Sequence, residues 1–181
     1  NKGEGLITWQ IVDKIPWHIV FLFGGGFALA KAVIDSGLAS FIGERLEGVG
    51  KLSDGTLLLM VTGLMTFLTE FTSNTATTEM MLPVVAGLAH HIQIHPLFLM
   101  LPITLAASMA FMFPVATPPN AIVFGSGKLK MMDMVKTGLI INIVGILLVV
   151  GFTYYWGAVV FDIDPAVVPD WAKDAKLNSK H

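Results

Sequence analysis

With 181 residues, 54% of them hydrophobic and only 13% charged, and a mean hydropathy of +0.73, the chain holds more apolar surface than one small soluble core could hide. A net charge of -2 offers no basic field for nucleic acid, and the absence of cysteine excludes disulfides and thiolate metal sites. No Asp, Glu, Lys or Arg falls between Met80 and Gly127 or between Thr137 and Phe161. Each stretch exceeds the roughly 20 apolar residues that cross a bilayer, so the expected class is an all-α integral membrane protein in contact with membrane lipid.

Asn1 to Asp13 lacks the basic flank, apolar core and cleavage site of a signal peptide, and the chain reads as a fragment beginning inside a larger protein. Residues 1–15 form a polar lead-in. Residues 16–54 hold a first membrane segment, Pro16 to Ile34, with Gly24, Gly25 and Gly26 allowing close backbone approach, followed by a polar connector with an expected amphipathic surface helix at Leu38 to Leu46.

Residues 55–92 follow a different pattern. Gly55 to Thr69 is uncharged, Glu70 to Glu79 is rich in hydroxyls and amides, and Met80 to Ala89 is apolar again. The first limb, roughly 22 Å long at 1.5 Å per residue, is too short to cross unaided. Two short limbs around a polar centre describe a re-entrant hairpin whose tip lies within the bilayer, buried against protein or water.

A turn at His90 to Pro96 leads into residues 93–127, which give a helix from Leu97 to Phe113, broken by prolines at 114, 118 and 119 and resuming at Ala121. The pattern predicts a discontinuous transmembrane helix. Residues 128–161 comprise a basic loop with Lys128, Lys130 and Lys136, then the full crossing Thr137 to Phe161, with Tyr154, Tyr155 and Trp156 as interfacial anchors. The positive-inside tendency places that loop in the cytoplasm and the acidic tail, residues 162–181, outside. The tail is expected to be a short ordered cap followed by a frayed end.

The chemistry is expected where the main chain breaks at membrane depth, at Ser73-Asn74-Thr75 and at Ala116-Thr117-Pro118, since such breaks build midplane sites in secondary transporters. A helix ending at Phe71 or Thr72 leaves carbonyl oxygens free, as do the prolines beyond. With the Thr69 hydroxyl and the Asn74 amide oxygen these are hard ligands suited to sodium. The second limb starts beside Asn74, where unpaired N–H groups favour a carboxylate, and Asn74, Thr75 and Thr117 add hydrogen bonds. Ser, Asn and Thr are equally ordinary N-cap residues, which leaves a purely structural use open. Glu70 and Glu79 are candidates either for proton coupling or for pairing with another part of the protein. His90, His91 and His95 lack a companion ligand and read as an interfacial turn.

The stretches Thr69 to Thr78 (TEFTSNTATT) and Pro114 to Ala121 (PVATPPNA), with Leu22 to Ala30, Asp133 to Gly138 and Phe161 to Asp164, resemble the divalent anion/sodium symporter family, which includes sodium-coupled succinate and citrate carriers. The resemblance implies that Thr69, the Thr72 carbonyl, Asn74 and the Ala116 carbonyl surround a sodium ion. It also implies that Asn74, Thr75, Thr117 and Pro118 border a dicarboxylate, with Ser73 shaping the turn. It implies a homodimer in a plasma or bacterial inner membrane, in which a transport domain moves like an elevator against a scaffold. This chain would be the second of two inverted repeats, with the N-terminal repeat missing. An anion channel using the same tip as a filter is the alternative. An enzyme is not expected, because neither His-Glu-x-x-His nor Gly-x-Ser-x-Gly occurs.

Overall fold

The computed structural model describes residues 52–173 continuously, residues 9–13, and scattered positions between 17 and 41. The expected surface helix and most of the first membrane segment therefore lie outside the described residues, as does the end of the tail. Within them every regular element is helical. A single turn, α1 (Trp9–Val12), precedes α2 (Asp54–Thr69), α3 (Asn74–His91), α4 (Pro96–Ala106), α5 (Pro118–Gly125) and α6 (Met131–Phe152). A π-helical turn (Thr153–Gly157) then leads to α7 (Ala158–Phe161) and α8 (Asp170–Lys173).

Local chemistry sets the helix starts. Ser53 Oγ accepts the Thr56 N–H at 3.4 Å, with Asp54 in the first turn of α2. Pro96 opens α4 behind His95, whose Nδ1 accepts the Leu97 N–H at 3.2 Å. The Lys130 N–H donates to Asp133 Oδ2 at 3.1 Å, and α6 accordingly begins at Met131, six residues before the expected Thr137. That first turn takes Asp133 and Lys136 out of the expected loop, because Asp133 caps an N–H that would otherwise lack a partner.

The core gathers around α4. Phe98, Leu99, Ile103 and Ala106 pack with Leu58 and Met65 of α2, with Val85 and Ala89 of α3, and with Ile163 from the chain beyond α7. Helix α4 touches both limbs, which touch each other far less. The buried positions of α2 (Leu58, Val61, Thr62, Met65, Thr66 and Thr69) recur at helical spacing, yet its outer face carries exposed Leu59, Met60, Leu64 and Phe67. On α6 the exposed face is also apolar, with Ile140, Ile143, Val144, Leu147 and Leu148. Among the described residues, Met131–Gly157 is the one helical stretch long and apolar enough to cross a membrane; Asp54–Thr69 and Pro96–Ala106 are apolar but shorter.

Two boundaries differ from the sequence expectation. The turn between the limbs is only residues 70–73, because Thr77 and Thr78 turn their hydroxyls back onto the Ser73 and Asn74 carbonyls, at 2.8 and 2.7 Å, and join α3. The interruption after α4 starts at Ala107 rather than at Pro114, and α5 resumes at Pro118 rather than at Ala121. Proline is tolerated in a first helical turn, so Pro118 and Pro119 open a helix there. The non-helical segment 107–117 is therefore longer than the prolines alone required.

Candidate functional site

The turn at residues 70–73 meets the unwound segment 107–117. Thr69, fully buried at the end of α2, has its hydroxyl 2.6 Å from the Ala107 carbonyl oxygen and 2.7 Å from Asn74 Oδ1. A threonine hydroxyl has one proton, so only one of these two short oxygen contacts can be its donation. Turning the Asn74 amide would supply an N–H donor to the hydroxyl; a cation among the three oxygens would satisfy them without that turn.

Glu70 follows Thr69 into the protein interior and is also fully buried. Its Oε1 accepts the Phe111 N–H at 2.9 Å, the Met112 N–H at 3.1 Å and Asn142 Nδ2 at 2.7 Å. Its Oε2 accepts the Met112 and Phe113 N–H groups at 3.0 and 3.3 Å. Phe71 and Phe113 bring their rings to 5.1 Å alongside these bonds. On the opposite side of the segment, Asn120 Nδ2 donates to the Ala110 and Phe113 carbonyls at 2.8 and 3.0 Å. An unwound stretch inside a helical bundle is tolerable only when its backbone groups find such partners.

Of the residues singled out in the sequence, Thr69 and Asn74 are brought together. Thr72 directs its hydroxyl to the Leu68 carbonyl at 2.8 Å and lies against the Thr77 hydroxyl. Ser73 is the N-cap of α3 without a side-chain cap hydrogen bond, and both it and Thr75 are exposed. The first turn of α3 thus has no side-chain cap from Ser73 for its N–H groups. Ala116 closes a local turn, its N–H donating to the Phe113 carbonyl at 3.2 Å. Thr117 caps α5, its hydroxyl 3.5 Å from the Asn120 N–H, and Pro118 stands exposed at the helix start.

Ala107, Asn120 and Asn142 were not among the expected residues. Asn142 had a legible signal, since it is an amide side chain within the long apolar run from Thr137 to Phe161. Ala107 had none, because it enters through its carbonyl, which every residue carries.

The sequence matches known transporters along nearly its whole length. It is 47% identical over 175 residues to the "Na(+)/citrate cotransporter" of Rattus norvegicus, covering 96% of this chain and 30% of the relative. It is 44% identical over 179 residues to "Na(+)/dicarboxylate cotransporter 3" of Homo sapiens, covering 98% of this chain and 29% of that protein. It is 44% identical over 164 residues to the "Sodium-dependent dicarboxylate transporter SdcS" of Staphylococcus saprophyticus, covering 91% of this chain and 32% of that protein. The chain thus spans about a third of the length of these relatives. Residues 4–163 match the family described as the sodium:sulfate symporter transmembrane region. An all-helical fold with lipid-suited faces and main-chain breaks held by buried Thr69 and Glu70 suits such a region, and the chain belongs to the sodium:sulfate symporter family.

Proposed function

We propose that this chain is one repeat of a sodium-coupled symporter in which sodium moving down its gradient drives uptake of a small dicarboxylate, succinate- or malate-like or citrate. The observation that carries the reading is the Thr69 hydroxyl held between Asn74 Oδ1 and the Ala107 carbonyl oxygen at the meeting of two main-chain breaks. Hard oxygen donors with too few protons among them suit a monovalent cation. The start of α3, without a side-chain cap, suits a carboxylate beside it. On this reading Thr69, Asn74 and the carbonyls of Thr72 and Ala116 take the sodium ion, with Ala107 adjoining them. Ser73, Asn74, Thr75, Thr117 and Pro118 form one wall for the substrate. The names of the relatives, which pair sodium with citrate or dicarboxylate, support this assignment.

The limbs α2 and α3 are then a re-entrant hairpin, and α4 and α5 the two halves of a discontinuous helix. At 11 residues, α4 is only about 17 Å long, short of a full crossing. The His95 N–H donates to the Pro165 carbonyl at 3.1 Å, so the tail lies at the same end as the start of α4. That pairing puts both on one side, which is the outside if the turn carrying Lys128 and Lys130 is cytoplasmic. The domain boundaries at residues 16, 55, 93, 128 and 162, an inverted first repeat, a homodimer and an elevator movement complete the proposal.

The test is uptake by the full-length transporter in proteoliposomes. Saturable, sodium-gradient-dependent succinate uptake is expected in the parent and its loss in Asn74→Ala. Undiminished uptake in that variant would remove the site, and unsaturable current without sodium dependence would favour a channel.

A further inference from the structure

The amides of Phe111, Met112 and Phe113 lie in the non-helical segment, where no carbonyl one helical turn back receives them, and all three converge on a single side chain. Glu70 supplies two oxygens to all three. A carboxylate is acceptor-only, whereas a glutamine would turn an NH2 group toward backbone donors. A second observation, from α6, is independent of these bonds. A Cβ added at Gly138 would lie 2.4 Å from the Phe111 carbonyl oxygen and 2.7 Å from the Met112 Cα, so the segment is seated directly against the helix backbone there. Asn142 is one turn further along the same face, with its Nδ2 on Glu70 Oε1.

We propose that Glu70 and Asn142, with Gly138 as the seat, form a clamp that fixes the shape of segment 107–117, and that Glu70 is thereby a positioning residue for the cation site. The cation site itself rests on the symporter reading above; the clamp does not. Glu70 adjoins Thr69 in the chain, and the Ala107 carbonyl touching the Thr69 hydroxyl belongs to the clamped segment. Loosening the clamp therefore moves two of the site's oxygens relative to each other without removing either. Misplaced ligands weaken binding while the slower steps of a transport cycle are less affected.

The full-length transporter in proteoliposomes tests this with two readouts: sodium half-saturation against maximal succinate uptake, and hydrogen exchange at the amides of residues 111–113. Glu70→Gln is expected to raise the sodium half-saturation about tenfold, with maximal uptake within about threefold, and to speed exchange at those amides. Asn142→Asp, which sets two carboxylates face to face, is expected to act the same way. Combining it with Glu70→Gln restores one donor and one acceptor and should lower the half-saturation again by about threefold. If Glu70→Gln does not fold, Asn142→Ser removes one donor and leaves the carboxylate on its amides, with a shift of about threefold.

Unchanged exchange at residues 111–113 overturns the clamp. Faster exchange with an unchanged sodium half-saturation, or with maximal uptake lost in equal proportion, overturns the positioning role. A double variant no better than the single ones overturns the direct pairing. Should the parent show no sodium-dependent uptake, the symporter reading fails while the exchange measurement still decides the clamp.

Discussion

Thr69 has one proton to give and two oxygens within reach of its hydroxyl, and this imbalance is the most specific chemical fact at the tip. Thr69→Val keeps the shape and removes the hydroxyl, leaving the Ala107 carbonyl and the Asn74 amide without their partner. Unmatched buried polar groups cost about 1–3 kcal/mol, so a lowered melting temperature is expected together with a raised sodium half-saturation. Thr69→Ser, which retains the hydroxyl, is expected to recover most of both. Recovery of neither would mean that the β-methyl group, not the oxygen, is what the site needs. Glu79 differs from Glu70: its side-chain oxygens are buried and find no partner among the described residues. Pro83, four residues on, has no N–H to give the Glu79 carbonyl, so the usual helix bond to that oxygen is also missing.

At the scale of elements, the contact of α6 with the unwound segment depends on a missing side chain. Gly138→Ala places a methyl group against backbone atoms of Phe111 and Met112, which cannot swing aside as a side-chain end could. Overpacking of this kind costs about 1–3 kcal/mol, and a matching fall in thermal stability is expected. An unshifted melting temperature would show that α6 sits further from the segment. The tail is held differently. His95 is buried, its backbone N–H on the Pro165 carbonyl and its ring 6.1 Å from that of Trp171. Burial lowers its pKa from the ordinary 6.5, with Asp164 partly opposing the shift. A lowered folded-state value means that the unfolded chain takes up the proton first. Stability from this group is therefore complete above the ordinary value and is lost progressively as pH falls below it. Trp171 fluorescence should report loosening of the tail on acidification, and His95→Gln should abolish that dependence. The same transition persisting in the variant would place its origin elsewhere.

For the whole molecule, two surfaces await partners of different kinds. The exposed apolar faces of α2 and α6 suit hydrocarbon or apolar protein, and the full-length protein is expected to leave membranes with detergent but not with alkaline carbonate. Release by carbonate would mean that those faces are covered without lipid. The buried acceptors of Glu79 call instead for a donor from beyond the described residues. With that donor in place, Glu79→Leu in the full-length protein leaves a polar group stranded and should lower the melting temperature. A raised melting temperature would show that no donor arrives, because replacing an unpaired buried carboxylate with leucine is then favourable.

Composition alone determined the class of solvent, since long uncharged runs cannot be covered by a fold of this size, and the prolines and the hydroxyl-rich stretch located both interruptions in the chain. The caps of α2 and α4 were equally local and could be read from Ser53 and Pro96. What the order of residues left open was where each interruption begins and what faces it. Segment 107–117 opens at Ala107, well before its first proline, and is held open where Glu70, from the turn after α2, takes the amides of residues 111–113 and Asn120 takes the Ala110 and Phe113 carbonyls. Backbone donors and acceptors are alike at every position, so their partners become visible only when distant segments are brought together in space.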